Sequence, residues 1–422
     1  MSTIETLDIT GIAAGGDGVA RHDGLVVFVP RTATGDRVSA RVTSKGRFAR
    51  GVLERVETPG TGRVTPECAH YVRDQCGGCQ LQHLSVGAQR DAKALIVRDA
   101  FARIGKREVP LPEVRGAGEP WRYRRKLTLA LRWTGAGSGA GAGAGWRAGL
   151  HRAGAPDEVF ALDDCLIADA RIVAGFREML AQGARFLPRV PALRVSLRLA
   201  GDELLLVVEG GTHWPSARAF ADAVTGAAGI AACWWVNDEG ERRLVRDRPE
   251  HASPGASFVQ VNEAVAAAMG AHVHGLVMAH APRTVVDGYA GSGDAAVMLA
   301  AQGVTVTAIE LDAHASAWSA SRLSAPSRAV SARVEDALPG ALPADVVLLN
   351  PPRTGVAPEV TDLLAACDPK PRAIIYVSCD PATLARDVAR LPGWRVASLT
   401  CFDMFPQTAH VETVCELVPE AA

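Results

Sequence analysis

Over residues 1–58 the chain alternates apolar and polar positions in short runs: LDITGIA, GVARHDGLVVFVP, DRVSARVTS and FARGVLERVE. Alternation at period two marks strands with one buried face. Gly15-Gly16-Asp17-Gly18, Asp23-Gly24 and Thr34-Gly35-Asp36 break the runs as turns. This spacing predicts a five-stranded β-barrel of the OB type, a fold that often holds single-stranded nucleic acid. Residues 58–83 have loop composition and hold three cysteines, and VGAQRDAKALIVRDAFARIGK (86–106) predicts a helix closing at Gly105. LRVSLRLAGDELLLVVEGG (193–211) predicts a hairpin turning at Gly201-Asp202, and the low-complexity TGAGSGAGAGAGWRAG (134–149) reads as a hairpin tip.

From about residue 256 the pattern changes to near-continuous apolar runs (TVVDGYAGSG, VTVTAIEL, ADVVLLNPP, RAIIYVSC) separated by helix-like stretches. That alternation predicts a doubly wound α/β domain. The expected architecture is an α/β protein in three parts. A β-barrel spans 1–58, a mixed α+β region 59–255 and a Rossmann-like domain 256–422, with the 86–106 helix free to pack on the last.

Composition narrows the class. With 48% apolar and 22% charged residues, no run of 18 apolar residues and no basic-then-apolar leader in MSTIETLDIT, the chain is expected to be globular and cytoplasmic. The net charge of -1 argues against a uniformly basic nucleic-acid binder, so any such surface must be local. Two basic stretches qualify, both alternating with apolar residues at strand spacing, so that their charges are expected to share a sheet face. One holds Arg31, Arg37, Arg41, Lys45, Arg47, Arg50 and Arg55 against Asp36 and Glu54, and the other is WRYRRK (121–126). Nine cysteines in such a chain point to metal or catalysis rather than a disulfide framework.

The run TVVDGYAGSGDAAVMLA (284–300) is strand, acidic end, glycine turn and helix, the arrangement that lets backbone approach a nucleotide-like ligand. Glu310 ends the next strand, where a carboxylate suits ribose hydroxyls. Asp336 follows the third strand near an adenine position, and Asn350 ends the fourth. The missing third glycine and the NPP strand end favour S-adenosylmethionine over a dinucleotide.

Methyl transfer to a lone pair needs no nucleophile, yet Cys379 in IIYVSCDPATLARDV sits at a strand end and Glu412 in FPQTAHVETVCEL begins the next strand. A thiolate adding to C6 of a pyrimidine makes C5 nucleophilic, and a base must then remove the C5 proton. Cys379 precedes a helix N-terminus, which predicts a lowered thiol pKa. Cys68, Cys76 and Cys79 (C-x7-C-x2-C) with the remote Cys165 suit either a [4Fe–4S] cluster or zinc.

The DGYAGSG turn, NPPRTG, SCDPATLARD, FPQTAHVE, the N-terminal barrel and the cysteine-rich segment together closely resemble the RNA uracil-5-methyltransferase family, over nearly the whole length. The resemblance implies a class I S-adenosylmethionine-dependent fold with an N-terminal TRAM domain. It implies Cys379 as nucleophile, Glu412 as proton acceptor, and Gln260, Tyr289, Asp294, Glu310 and Asp336 as cofactor contacts, with Asn350 beside them. It also implies the iron–sulfur choice for the four cysteines, ribosomal RNA as substrate ahead of transfer RNA, and a monomer. Two positions depart from the family pattern: Asn350 where aspartate is usual, and Asp380 where SCNP is usual. Two other readings compete: an amino-directed methyltransferase using NPPR, for which Cys379 is dispensable, and a non-catalytic iron–sulfur RNA-binding protein.

Overall fold

The computed structural model describes residues 3–135, 142, 143, 145–227, 229–247 and 260–420. The expected boundary at 255/256 and part of the low-complexity tip, 136–141 and 144, fall outside them.

The N-terminal region forms one six-stranded sheet, in the order 3–8, 37–44, 49–58, 25–29, 18–22, 11–12, rather than five strands. The sixth is the two-residue strand Gly11–Ile12, too short to show as an alternating run. Leu7, Val27, Val29, Val38 and Ala40 fill its core. The basic character expected here is largely neutralised. Arg37, Arg41, Arg50 and Arg55 each pair with a carboxylate (Asp8, Glu54, Asp17 and Glu57). Arg31 turns inward, its guanidinium 4.2 Å from the Tyr71 ring centroid. Arg63, bonded to the buried Asp36 at 2.6 Å, ties the sheet to the cysteine-rich segment.

The middle region is an eight-stranded sheet. Leu127, Leu129 and Leu131 alternate on one strand and Leu193, Val195, Leu197 and Leu199 on its neighbour. That face packs under Ile172, Val173, Phe176 and Met179 of helix Ala170–Gly183 and Phe220 and Val224 of helix Ala217–Ala227. The hairpin turns at Gly201-Asp202, with Ala200 opposite Glu203 and Gly201 at φ 58. WRYRRK is irregular until Lys126 opens the strand Lys126–Trp133, so its arginines do not share a sheet face. Arg122 folds back on Asp164, and Arg125 on Glu263.

The C-terminal sheet also has eight strands, in the order 328–331, 305–310, 284–288, 346–349, 373–378, 412–419, 394–402, 113–115. The first five run parallel, 412–419 runs antiparallel to them, and 394–402, antiparallel to 412–419, returns to the direction of the first five. Both faces are covered, which explains the unbroken apolar runs. Val286, Val347, Leu349, Ile374 and Tyr376 face one side, and Val285, Val306, Val346, Leu348 and Ile375 the other. Helix Val86–Arg103, capped by Ser85, packs Val97 and Phe101 into this core, and Glu113–Arg115 adds its edge strand. Lys93 of that helix is wholly buried against Asp403, 2.5 Å away.

A buried ion pair that loses one member keeps an uncompensated charge. Lys93→Met should therefore lower unfolding stability by about 3–5 kcal/mol, and Lys93→Met/Asp403→Leu by distinctly less. Urea denaturation of the four-member cycle measures this, and a double-variant loss equal to the sum of the two single losses would show that the pair is uncoupled.

Candidate active site

Parallel strands share a direction, so the C-terminal sheet presents Gly288, Glu310, Asn350 and Cys379 along one edge, where ligands of such sheets bind. The turn after Gly288 is held in left-handed backbone at Tyr289 (φ 62), Gly291 (φ 55) and Gly293 (φ 78). A Cβ at Gly293 would lie 2.0 Å from Ser319 Oγ, so that position admits only glycine. Glu310 braces the turn from the next strand: Gly291 N–H donates to Oε2 and Asp312 N–H to Oε1, each at 2.8 Å.

The other expected cofactor residues divide. Tyr289 is half-buried at the turn, and burial together with the Glu335 charge pushes its hydroxyl up to about 12. Asp294 opens helix Asp294–Ala300 but is exposed, paired with Arg322 at 2.8 Å and accepting from Ser292 Oγ at 2.8 Å. Asp336 is exposed in the short helix Val334–Ala337, and its neighbour Glu335 is the residue whose charge reaches Tyr289. Asn350 is exposed at its strand end, its N–H on Gly288 O at 3.2 Å. Gln260 lines a cavity of about 300 Å³ with Arg125, Gly201 and Glu263, and no described contact joins it to Cys379 or Glu412.

Asp287 was read only as the acidic end of its strand. It is 2% exposed, its Oδ2 is buried without a hydrogen-bond partner, and burial, reinforced by Glu310 and Asp294, raises its carboxyl to about 7. An orphaned carboxylate oxygen beneath a glycine turn suits a ligand ammonium. The one sequence signal was its place just before the turn.

Cys379 and Glu412 come together. Cys379 is half-buried at the end of strand Ala373–Ser378, and Glu412 is 8% exposed at the start of Glu412–Pro419. The expected depression of the Cys379 thiol is overturned. Burial raises it, the Glu412 charge raises it further, and a hydrogen-bonded Arg353 opposes both. The helix dipole does not prevail because Asp380 caps the helix itself, accepting from Thr383 N–H at 2.8 Å. Burial likewise raises Glu412 to about 7, again opposed by Arg353. Arg353, from the NPPRTG segment, is therefore the cation that Cys379 and Glu412 share.

Cys68, Cys76, Cys79 and Cys165 are all buried and unbridged. Burial pushes Cys76 up to about 11 and Cys79 up to about 12, and each feels the charge of the other thiols, Cys165 foremost. Gly78 N–H donates to Cys76 Sγ at 3.4 Å, and Ala168 and Ile167 backbone groups bond to Cys165. Among the described residues no three His, Cys, Asp or Glu side chains close on one point as ligands of a single metal ion do.

A family described as tRNA (Uracil-5-)-methyltransferase matches residues 328–418, and the TRAM domain matches residues 3–53. A protein of Alkalilimnicola ehrlichii named 23S rRNA (uracil(1939)-C(5))-methyltransferase RlmD is 31% identical, covering 98% of this chain and 96% of its own length. A relative of the same name from Shewanella is 30% identical, covering 94% and 92%. The solved tRNA (uracil-54, C5)-methyltransferase of Pyrococcus abyssi, in complex with S-adenosyl-L-homocysteine, matches 98% of this chain and 99% of its own with a TM-score of 0.70. At 21% identity that likeness speaks to the fold.

An acid whose folded pKa lies above its unfolded value favours folding in its protonated form. The raised Glu412 therefore subtracts stability as pH climbs from about 4.5 to about 7. Glu412→Gln should be more stable than the native chain at pH 8, by about 1–3 kcal/mol, and equally stable near pH 4. Denaturation at the two pH values checks it, and a pH-independent difference would place the carboxylate in water.

Proposed function

The chain belongs to the RNA uracil-5-methyltransferase family, and we propose that it methylates C5 of a uridine in 23S ribosomal RNA, acting in the cytoplasm. The observation that carries the residue assignment is the joint burial of Cys379 and Glu412 beside Arg353. S-adenosylmethionine supplies the electrophilic methyl group. Tyr289, Glu310, the backbone of the glycine turn and the orphaned Asp287 Oδ2 are the residues fitted to hold it.

Cys379 Sγ adds to uracil C6, which places negative charge on C4 oxygen and makes C5 a nucleophile. Arg353 holds the thiolate before attack. After methylation C5 carries both a methyl group and a proton. Glu412 takes that proton, the C5–C6 double bond re-forms and Sγ departs. A carboxylate raised to about 7 is a far better base at neutral pH than one near 4. C6 is unreachable inside a stacked helix, so the target nucleotide must be turned out into the site. Asn350 can meet the ring N–H as an uncharged acceptor.

The amino-directed reading has no role for this pair. The non-catalytic reading leaves unexplained why two ionisable groups are desolvated together. We further propose that Cys68, Cys76, Cys79 and Cys165 hold a [4Fe–4S] cluster with a structural role. Four buried thiols within electrostatic reach of one another, with backbone donors at Cys76 and Cys165, support it. The parts 1–58, 59–255 and 256–422 remain our domain division, with the 86–103 helix in the catalytic core.

RNA carrying 5-fluorouridine tests the chemistry, because fluorine cannot leave C5 as a proton does. With labelled S-adenosylmethionine the native chain should give a methylated adduct on a denaturing gel. Cys379→Ala should give none, with cofactor binding intact. Normal turnover by Cys379→Ala would overturn the mechanism. Anaerobically purified protein should contain iron and sulfide and lose both in Cys79→Ala, whereas zinc without sulfide would favour the other metal.

A further inference from the structure

Glu412 is reached through the connection 403–411, which leaves its strand at Phe402 and returns directly opposite it. A connection of that length is free to wander unless tied. Its tethers come from distant positions, most of them in the N-terminal half of the chain. Lys93 Nζ donates to Asp403 Oδ1 at 2.5 Å and to Phe405 O at 3.1 Å. Asn262 Nδ2 donates to Met404 O at 3.3 Å, and Tyr123 hydroxyl to Pro406 O at 2.9 Å.

The tethering is densest at Gln407, which is 3% exposed and held in left-handed backbone at φ 71. A non-glycine residue persists in that conformation only where its surroundings over-determine it. Here they do. Gln80 and Leu81 N–H both donate to Gln407 O, at 3.1 and 2.9 Å. Gln407 N–H donates to Gln89 Oε1 at 2.8 Å, and Gln89 Nε2 returns a bond to Gln407 Oε1 at 2.9 Å. Gln89 is itself fixed on Leu84 O at 2.9 Å, and Gln80 Oε1 accepts from Ala409 N–H at 3.4 Å. None of the hydrogen bonds described for these groups reaches Cys379 or Glu412, yet all act on the segment that ends at Glu412.

We propose that Gln407 and Gln89 are positioning residues for Glu412, a clasp through which the cysteine-bearing segment fixes the catalytic base. The inference rests on the assignment of Glu412 as the C5 base. It gives the 79–81 segment a second duty. Leu81 and Gln80 follow Cys79 directly, so the backbone that presents this thiol also holds the base loop.

Displacing the base alone leaves addition and methyl transfer intact and stalls release. The test is therefore the fate of the covalent species on ordinary uridine RNA, followed by denaturing gel with labelled S-adenosylmethionine. Gln89→Leu removes both amide bonds. Gln407→Gly keeps the left-handed backbone and removes the side chain, and serves if the first variant folds poorly. Each should accumulate methylated adduct, with release slowed about 10- to 100-fold and adduct formation little changed. Glu412→Gln is the reference and should accumulate adduct too. Formation and release falling together in the clasp variants, or both staying unchanged, while Glu412→Gln accumulates adduct, would overturn the clasp. A Glu412→Gln protein that forms adduct yet releases it normally would overturn the base assignment, and the clasp with it.

Discussion

Lys93 and Asp403 are both sealed from water, and the buried carboxylate is matched by Lys93 at 2.5 Å, with Arg90 further off at 3.5 Å. Desolvation draws the lysine down from its ordinary range, and the aspartate's charge pulls against that shift. The pair obliges helix Val86–Arg103 to lie against the loop between the last two strands. Once it does, Val97 and Phe101 complete the core of the methyltransferase sheet. Glu113–Arg115 can then reach the sheet edge, and Arg107 can cap the backbone of Leu391 at 2.9 Å. The N-terminal half is thus part of the catalytic domain's packing.

The active site works by a similar exclusion of water. Burial lifts both Cys379 and Glu412, which would suit a proton acceptor and hinder a nucleophile, the roles proposed for them. Arg353 reconciles the two demands. Its loop is fixed by Val356 N–H on the buried Asp387 at 3.0 Å, and Asp387 also accepts from Tyr376 hydroxyl at 2.7 Å. Gly355, at φ 80, lets the chain pass so close that a Cβ would sit 2.3 Å from that carboxylate.

The regular elements were legible where periodicity carries the information. The four buried strand runs, the capped 86–103 helix and the Gly201-Asp202 hairpin all left local patterns. Cys379 and Glu412 were legible because they sit at strand ends, where a sheet of this class must bind its ligands. What escaped depends on partners far along the chain. Glu113–Arg115 is too short to alternate, and it pairs with a strand ending at Phe402. The sign of the Cys379 shift depends on Glu412 and Arg353, and the basic barrel face on carboxylates across the sheet. The WRYRRK stretch misled because its spacing mimics a strand that begins only at its last residue.

The reciprocal amide bonds between Gln89 and Gln407 join residues 318 positions apart. A ribosome makes the first long before the second. Through nearly all of synthesis, Gln89 and Lys93 present polar groups on a helix whose counterparts do not yet exist. The loop before Glu412 can lock only once Gln407 has left the exit tunnel, long after Gln89 has emerged. Long-range closure of this kind is slow and exposes partly assembled surfaces. It also means that a genetic exchange grafting this C-terminal domain onto a foreign N-terminal half would carry over the cysteine and the cofactor turn, but leave the proton acceptor without its clasp.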